Sequence, residues 1–320
     1  MAGFAGSHLA EYLLEQTDWT IAGTVRTLDP ARNLDSIRNN PRQASRVTIL
    51  EVDVTDENSV SYLIKAWPPD YVFHLAATGW PAVSFDNPRR AMETNIIGTA
   101  NVLQACSRHA PNAWVQVCSS ADVYGKSTSR EPLTESSPIH PASPYSISKI
   151  GADLLGRHYA ERGSNVIVTR SFTHTGPRRS AVFVESSFAR QIAMIEAGLE
   201  NPPIQVGNLE SVRTIADVRD IARAYHMALT VEPERGAVYN IGGIHTCAVR
   251  ELLDLLFQSA GRTYPIAVDR SRLRPIDADY QVPDCTPFVA RTGWQPRYAL
   301  EDTIRDLLNY WRARVATEDA

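Results

Sequence analysis

Short runs of β-branched and aromatic residues alternate with longer stretches of helical period through the first half of the chain. Thr20–Arg26, Val47–Val54, Tyr71–Ala77, Ala113–Ser119 and Asn165–Arg170 read as strands, and the segments between them as helices. The run Tyr71-Val72-Phe73-His74-Leu75-Ala76-Ala77 is apolar on both sides of its pleat, as a parallel strand covered by helices on each face must be. The alternation predicts an α/β fold built on a doubly wound parallel sheet. After Arg170 the pattern breaks into proline-rich pieces such as Gly176-Pro177, Asn201-Pro202-Pro203, Arg274-Pro275 and Val282-Pro283. A helix from about Asp217, a strand at Val238–Ile241 and an amphipathic closing helix over Leu300–Val315 interrupt them. Residues 1–170 with about 217–245 are therefore expected to carry the sheet. Residues 171–216 with 246–320 are expected to form a smaller, partly discontinuous α/β domain.

Composition narrows the possible partners. At 320 residues, 43% hydrophobic and 21% charged, the chain can bury one large core or two coupled ones. A net charge of -4 and a pI near 6.1 give no basic field for a phosphate backbone, and no apolar run reaches the roughly eighteen residues that cross a bilayer. Neither nucleic acid nor a membrane is expected as a partner. Cys106, Cys118, Cys247 and Cys285 lie far apart with no CxxC pair, so reduced thiols in a cytoplasm are expected and no metal site is. Lysine occurs only at Lys65, Lys126 and Lys149, and arginine supplies the rest of the 32 basic residues.

The opening Met1-Ala2-Gly3-Phe4-Ala5-Gly6-Ser7-His8-Leu9 reads as the latter part of a dinucleotide-binding turn. Glycines there let backbone N–H groups approach a pyrophosphate at a helix N-terminus. A flexible terminus has the same composition, but the strands that follow favour the turn, with Gly3, Phe4, Ala5 and Gly6 as its residues. A sheet of this kind carries a central strand before the turn, and its absence predicts a hydrophobic slot and an unanchored turn. The expectation is that Met1 is internal to a longer native chain. At the end of the next strand Arg26 offers a cation where enzymes specific for NAD place an acid, which favours NADP over NAD; a solvated surface arginine is the plain alternative. Asp53-Val54, at the following strand end, meets the adenine in such a fold, and Asp53 equally suits a turn cap.

The strongest signal is Tyr145-Ser146-Ile147-Ser148-Lys149. Tyrosine and lysine four residues apart share a helix face, where an ammonium can lower the pKa of a phenol. With 12 tyrosines and so few lysines, about 0.1 such pairs arise by chance. Cys118-Ser119-Ser120-Ala121-Asp122-Val123-Tyr124-Gly125 ends a strand at the carboxyl edge where doubly wound sheets hold ligands. A hydroxyl at Ser120 can there hold a substrate oxygen beside Tyr145, although serines at strand ends are commonly only turn formers.

The ordered set Gly3-Phe4-x-Gly6, Leu75-Ala76-Ala77, Asn95-Ile96-x-Gly98-Thr99, Ser119-Ser120-x-x-Val123-Tyr124-Gly125 and Tyr145-x-x-x-Lys149 resembles the extended short-chain dehydrogenases, over essentially the whole chain. His174-Thr175-Gly176-Pro177-Arg178-Arg179, Val206 to Arg213, Asp217-Val218-Arg219-Asp220, Leu273-Arg274-Pro275 and Thr292 to Arg297 resemble the branch of GDP-mannose 4,6-dehydratases and GDP-4-keto-6-deoxy-D-mannose reductases. The resemblance implies a Rossmann-type NADP-binding domain and a nucleotide-sugar-binding domain. It implies catalysis by Ser120, Tyr145 and Lys149, with Asp122 as a further acid/base. Leu75, Ala76, Ala77, Asn95 and Phe172, together with Tyr145 and Lys149, join the cofactor site. Ser84, Thr173, Arg178, Asn208, Arg213, Arg274 and Asp277 join the substrate site, the two arginines Arg213 and Arg274 clamping a diphosphate. It also implies a homodimer through the Asn87–His109 and Ser143–Arg162 helices.

Two departures bear on the reaction. Dehydratases of this branch carry Thr-Asp-Glu or Thr-Ser-Glu where this chain has Ser120-Ala121-Asp122, a carboxylate one methylene shorter, and Thr173 stands where the family has asparagine. The chain is also short for the dehydratase. The favoured expectation is NADPH-dependent reduction at C4 of a nucleotide-activated, GDP-linked 4-keto-6-deoxyhexose. The alternatives are a dehydratase or epimerase that reduces its cofactor transiently, with Asp122 as acid/base, and a non-catalytic NADP-binding protein.

Overall fold

The structure is a computed structural model and describes residues 1–28, 32–125, 130–272 and 280–318. Among the described residues, six parallel strands carry the larger domain, in two groups. Ile21–Val25 pairs with Val47–Glu51, Ile21 opposite Val47. Tyr71–His74, Trp114–Cys118, Val166–Ser171 and Val238–Ile241 form the second group in that order. Val166–Ser171 is buried at every residue. Its alternate side chains divide between two cores: Val166 and Val168 pack with Val102, Cys106 and Ala152, whereas Ile167 packs with Leu13, Ile221 and Tyr225. That period-two division places helices on both faces of a parallel sheet. Fully burying each such aliphatic contributes about 1.5–3 kcal/mol.

The strands are shorter than the apolar runs suggest. Tyr71–Ala77 is strand only as far as His74, and Val47–Val54 only as far as Glu51. The remaining residues of each run leave the sheet at its carboxyl edge and line a cavity there. The helix expected from about Asp217 spans Val218–Thr230, with the Asp217 carboxylate accepting from the Arg219 amide at 2.7 Å as its cap. Val238–Ile241 is a strand as expected, and the closing helix runs Leu300–Glu318.

The second half adds short strands that hydrophobic patterning does not reveal. Val212–Asp217 pairs antiparallel with His245–Ala248 and parallel with Tyr280–Gln281 and His174–Thr175, and Ile204–Val206 pairs with Ile266–Val268. The helices Val184–Glu196, Val249–Ala260 and Leu300–Glu318 share one core around Phe188, Ile192, Leu253 and Leu256. The last helix presents Leu300, Ile304, Leu307, Leu308, Trp311 and Val315 to it, an apolar stripe at i, i+4, i+7 and i+8. Residues 286–294, grouped by the sequence with this smaller domain, sit instead on the larger one. Phe288 and Trp294 are buried against Tyr239 and the Val218–Thr230 helix, and the Trp294 indole donates to the Asp220 carbonyl at 3.1 Å. Two aromatic anchors of that size outweigh chain proximity to the smaller domain.

The two groups of strands do not meet. Ile21–Val25 and Tyr71–His74 both line a cavity of about 1440 Å³, and no strand among the described residues lies between them.

Candidate active site

The helix Pro144–Glu161 is built to hold its first turn still. Ser143 and Ser146 form a reciprocal cap and Pro144 takes the first helical position, where its missing N–H costs nothing. Its inward stripe carries Tyr145, Ser148, Lys149, Ala152, Asp153 and Gly156. Gly156 lies flat on the sheet, since a Cβ there would come within 2.9 Å of a Val168 methyl. The Tyr145 amide donates to the Ser84 hydroxyl at 3.0 Å, and Ser84 donates onward to the Pro81 carbonyl at 2.6 Å. Ser84, assigned to the substrate by resemblance, is thus buried and engaged in seating the catalytic helix.

Tyr145 and Lys149 are both buried against the end of Trp114–Cys118. Lys149 Nζ donates to the Cys118 carbonyl at 2.7 Å, and burial lowers its pKa. Burial pushes the Tyr145 phenol upward and the negative charge of Asp122 adds to this, while a hydrogen bond with Ser120 and the cation of Arg179 work the other way; the net direction is up. Without a bound ligand the phenol is therefore held protonated beside a hydroxyl. The Ser120 side chain also accepts from the Asp122 amide at 3.1 Å, which fixes the turn Ala121–Val123.

Two buried networks brace this centre. Asn95 sits in a π-helical turn, Glu93–Ile97, of the kind that recurs at functional sites. Its amide accepts from Thr78 N at 2.8 Å, donates to Thr78 O at 3.2 Å and donates to Ser148 at 2.8 Å. Behind the Tyr145 helix, Arg170 pairs bidentately with Asp153 at 2.8 and 3.2 Å and donates to the Tyr124 hydroxyl and the Glu135 carbonyl. Gly125 closes the Val123-Tyr124-Gly125 turn at φ 62°, where a Cβ would meet the His140 carbonyl.

A dinucleotide fits the carboxyl-edge mouth of the large cavity by its chemistry, not the gap between the two groups of strands. Gly3, Phe4, Ala5, Gly6, Arg26, Asp53, Val54, Leu75, Ala76 and Ala77 line the cavity. The helix Phe4–Gln16 starts there with no acidic residue in its first turn and no side-chain cap, leaving N–H groups for an anion. Arg26 is exposed at the rim. The buried Ser119 hydroxyl has no hydrogen-bond partner among the described residues, so it has capacity for a ligand oxygen. Asp53 accepts from the Thr55 amide at 2.9 Å and hydroxyl at 2.8 Å, and so does cap a turn. Asn95, Tyr145, Lys149 and Phe172 lie outside the cavity lining. Phe172 is a core side chain packed on Tyr124.

The substrate-site residues are dispersed. Arg213 donates to Gln281 at 3.2 Å, and Asn208 donates to Ser211 at 2.9 Å. The Thr173 carbonyl accepts from Ala216. Arg178 is paired with Glu11 rather than open to a ligand. Arg274 and Asp277 lie outside the described residues. The residue that sequence reasoning missed is Arg179. It is stacked on Phe183 at 3.4 Å and lies 5.1 Å from the Phe4 ring, beside the buried carboxylate of Glu185. Only its place as the second of two arginines after Gly176-Pro177 could have drawn attention to it.

An uncapped helix start on a parallel sheet, with a buried tyrosine and lysine beside a half-buried serine at the sheet's carboxyl edge, defines a nucleotide-cofactor enzyme of the extended short-chain dehydrogenase class. The sequence profile of the family described as GDP-mannose 4,6 dehydratase matches residues 1–307, and the chain belongs to that family. It is similar to GDP-6-deoxy-D-mannose reductase of Pseudomonas aeruginosa, 31% identical over 99% of this chain and 97% of that protein. Human GDP-mannose 4,6 dehydratase is 26% identical over 97% of this chain and 89% of its own length. Among solved structures, RMD from Pseudomonas aeruginosa complexed with NADPH superimposes with a TM-score of 0.81 at 30% identity, covering 98% of this chain and 96% of that one.

Proposed function

We propose that this protein reduces the C4 keto group of a GDP-linked 4-keto-6-deoxyhexose with NADPH, in the cytoplasm. The observation that carries the reading is the buried Tyr145 phenol, kept protonated beside the Ser120 hydroxyl: a proton donor waiting for an alkoxide. Full-length similarity to a GDP-6-deoxy-D-mannose reductase supports the substrate class, and a related structure with NADPH supports the cofactor, NAD being the alternative. Bound NADPH supplies the hydride. The turn at Gly3 to Gly6 and the helix start hold its pyrophosphate, and Arg26 takes the 2'-phosphate. Ser120 donates a hydrogen bond to the substrate carbonyl oxygen, and Tyr145 delivers its proton to that oxygen as negative charge develops. Lys149 and Arg179 then stabilise the phenolate that remains. Arg213 and, by resemblance, Arg274 hold the diphosphate, with Asp277 near the ribose.

A homodimer is part of the proposal. Ile97, Ile147 and Leu154 are about half exposed on the Glu93–Ile97 and Pro144–Glu161 helices, an apolar face suited to a second copy. The absence, among the described residues, of any helix able to cross a membrane fits an enzyme that works in solution. The second reading is a dehydratase or epimerase with Asp122 as acid/base, its place on the turn capped by Ser120 supporting it. Following NADPH absorbance while the protein turns over GDP-4-keto-6-deoxymannose separates the two. A reductase consumes one NADPH per product; no NADPH loss with this keto sugar, together with turnover of GDP-mannose at constant NADPH, would replace this reading with the second.

A further inference from the structure

One face of the dinucleotide-binding helix is matched, residue by residue, by the loop that leads into the smaller domain. Phe4, His8 and Glu11 stand at i, i+4 and i+7 of Phe4–Gln16, hence on one side of the helix. The His174 ring stacks on Phe4, centroids 5.7 Å apart and 8° from parallel. His8 Nε2 donates to the Pro177 carbonyl at 2.9 Å. Arg178 donates to both carboxylate oxygens of Glu11, at 2.8 and 2.5 Å, and the Ser36 hydroxyl donates to the same carboxylate. Arg179 lies over Phe4. Arg178 makes its contact from a left-handed backbone, φ 73°, which a non-glycine residue adopts only when its surroundings hold it there. Four contacts, from His174, Pro177, Arg178 and Arg179, thus join the start of the cofactor helix to a loop that leads into the Val184–Glu196 helix of the smaller domain.

We propose that the Glu11–Arg178 pair is a positioning latch: it locks the pyrophosphate-binding helix to the loop feeding the smaller domain, so that NADPH and the nucleotide sugar each favour binding of the other. Neither residue contacts the reacting atoms. The pair is four-fifths buried, 17% exposed at Arg178 and 20% at Glu11, and a bidentate guanidinium–carboxylate fork fixes angle as well as distance. Either ligand ordering its own side of the latch lowers the ordering cost for the other, which is heterotropic coupling without direct contact.

The coupling half of the proposal rests on the GDP-sugar reading; the positioning half does not. The test is calorimetric titration of NADPH, with and without saturating GDP, into wild type, Glu11→Gln, Arg178→Gln, the double variant and the reversed pair Glu11→Arg with Arg178→Glu. Each single variant is expected to bind NADPH about 5- to 20-fold more weakly, and the double variant no more weakly than either single. The reversed pair should recover most of the loss. GDP should tighten NADPH binding several-fold in wild type and leave it unchanged in the single variants, a loss of coupling that lowered stability alone does not produce. Additive losses, or single variants with wild-type NADPH affinity, would overturn the latch. A wild type that fails to bind GDP would sink the GDP-sugar reading instead, and the latch would then stand or fall on the NADPH arm alone.

Discussion

Asp153→Asn isolates what the buried ion pair behind the catalytic helix does. Arg170 and Asp153 are 2% and 1% exposed, so neither charge can turn to water when its partner is lost. Asparagine keeps the shape but turns one carboxylate oxygen into an NH₂ facing the Arg170 donors at 2.8 and 3.2 Å. The guanidinium keeps the Tyr124 hydroxyl at 3.0 Å and the Glu135 carbonyl at 2.9 Å, and no counter-charge. Breaking one half of such a pair costs about 3–5 kcal/mol, a large part of the roughly 5–15 kcal/mol that separates folded from unfolded domains. Urea unfolding followed by tryptophan fluorescence should show the midpoint falling by about 1 M or more. Removing both charges at once, with Asp153→Leu and Arg170→Met, should return stability to within about 1 kcal/mol of wild type or above it. A loss under about 1 kcal/mol in the single variant would refute the reasoning, because the guanidinium would then be satisfied without its carboxylate. Because Asp153 lies two turns beyond Tyr145 on one helix, kcat should fall along with the stability.

Tyr145→Phe removes the proton donor alone and should lower kcat by about 10²–10⁴ with NADPH binding intact, measured by NADPH absorbance and calorimetry; retention of a tenth of the activity would assign the proton to another group. Because burial and Asp122 raise the Tyr145 pKa above the ordinary phenol value, the protonated form that reduction needs persists as pH rises and is lost only above that raised value. The kcat for reduction should therefore stay level from pH 7 to 9, and a tenfold decline across that range would contradict it. Arg26→Ala removes one charge-assisted contact to a 2'-phosphate, worth about 1.5–3 kcal/mol. It should cut the preference for NADPH over NADH by about 10- to 100-fold, and an unchanged ratio of kcat/KM values would show that Arg26 is only a surface cation.

The order of elements in the larger domain was legible because parallel strands buried on both faces leave continuous apolar runs, as Val166–Ser171 does. Their ends were not: Leu75, Ala76 and Ala77 are as apolar as the strand before them, yet they line the cavity. The two-residue strands His174–Thr175 and Tyr280–Gln281 are too short to show any period. Tyr145 and Lys149 could be paired from spacing because they lie four residues apart on one helix, and both are buried. Glu11 with Arg178 could not, since 167 residues separate them and only the folded chain brings acid and base together. Arg178 and Arg179 are alike in sequence, and only packing sends the first to Glu11 and the second onto Phe183 beside Glu185. Phe288 and Trp294 likewise join the larger domain through bulk that no local pattern marks.

The cavity between Ile21–Val25 and Tyr71–His74 makes the larger domain two plates rather than one. A strand edge without a neighbour leaves its N–H and C=O groups to water, so the amides along these two edges should exchange faster than those of the central Val166–Ser171. The plate bearing Arg26 is joined to the plate bearing Tyr145 by packed helices, not by a ladder of backbone bonds, and helix packing gives way to shear more readily than a ladder does.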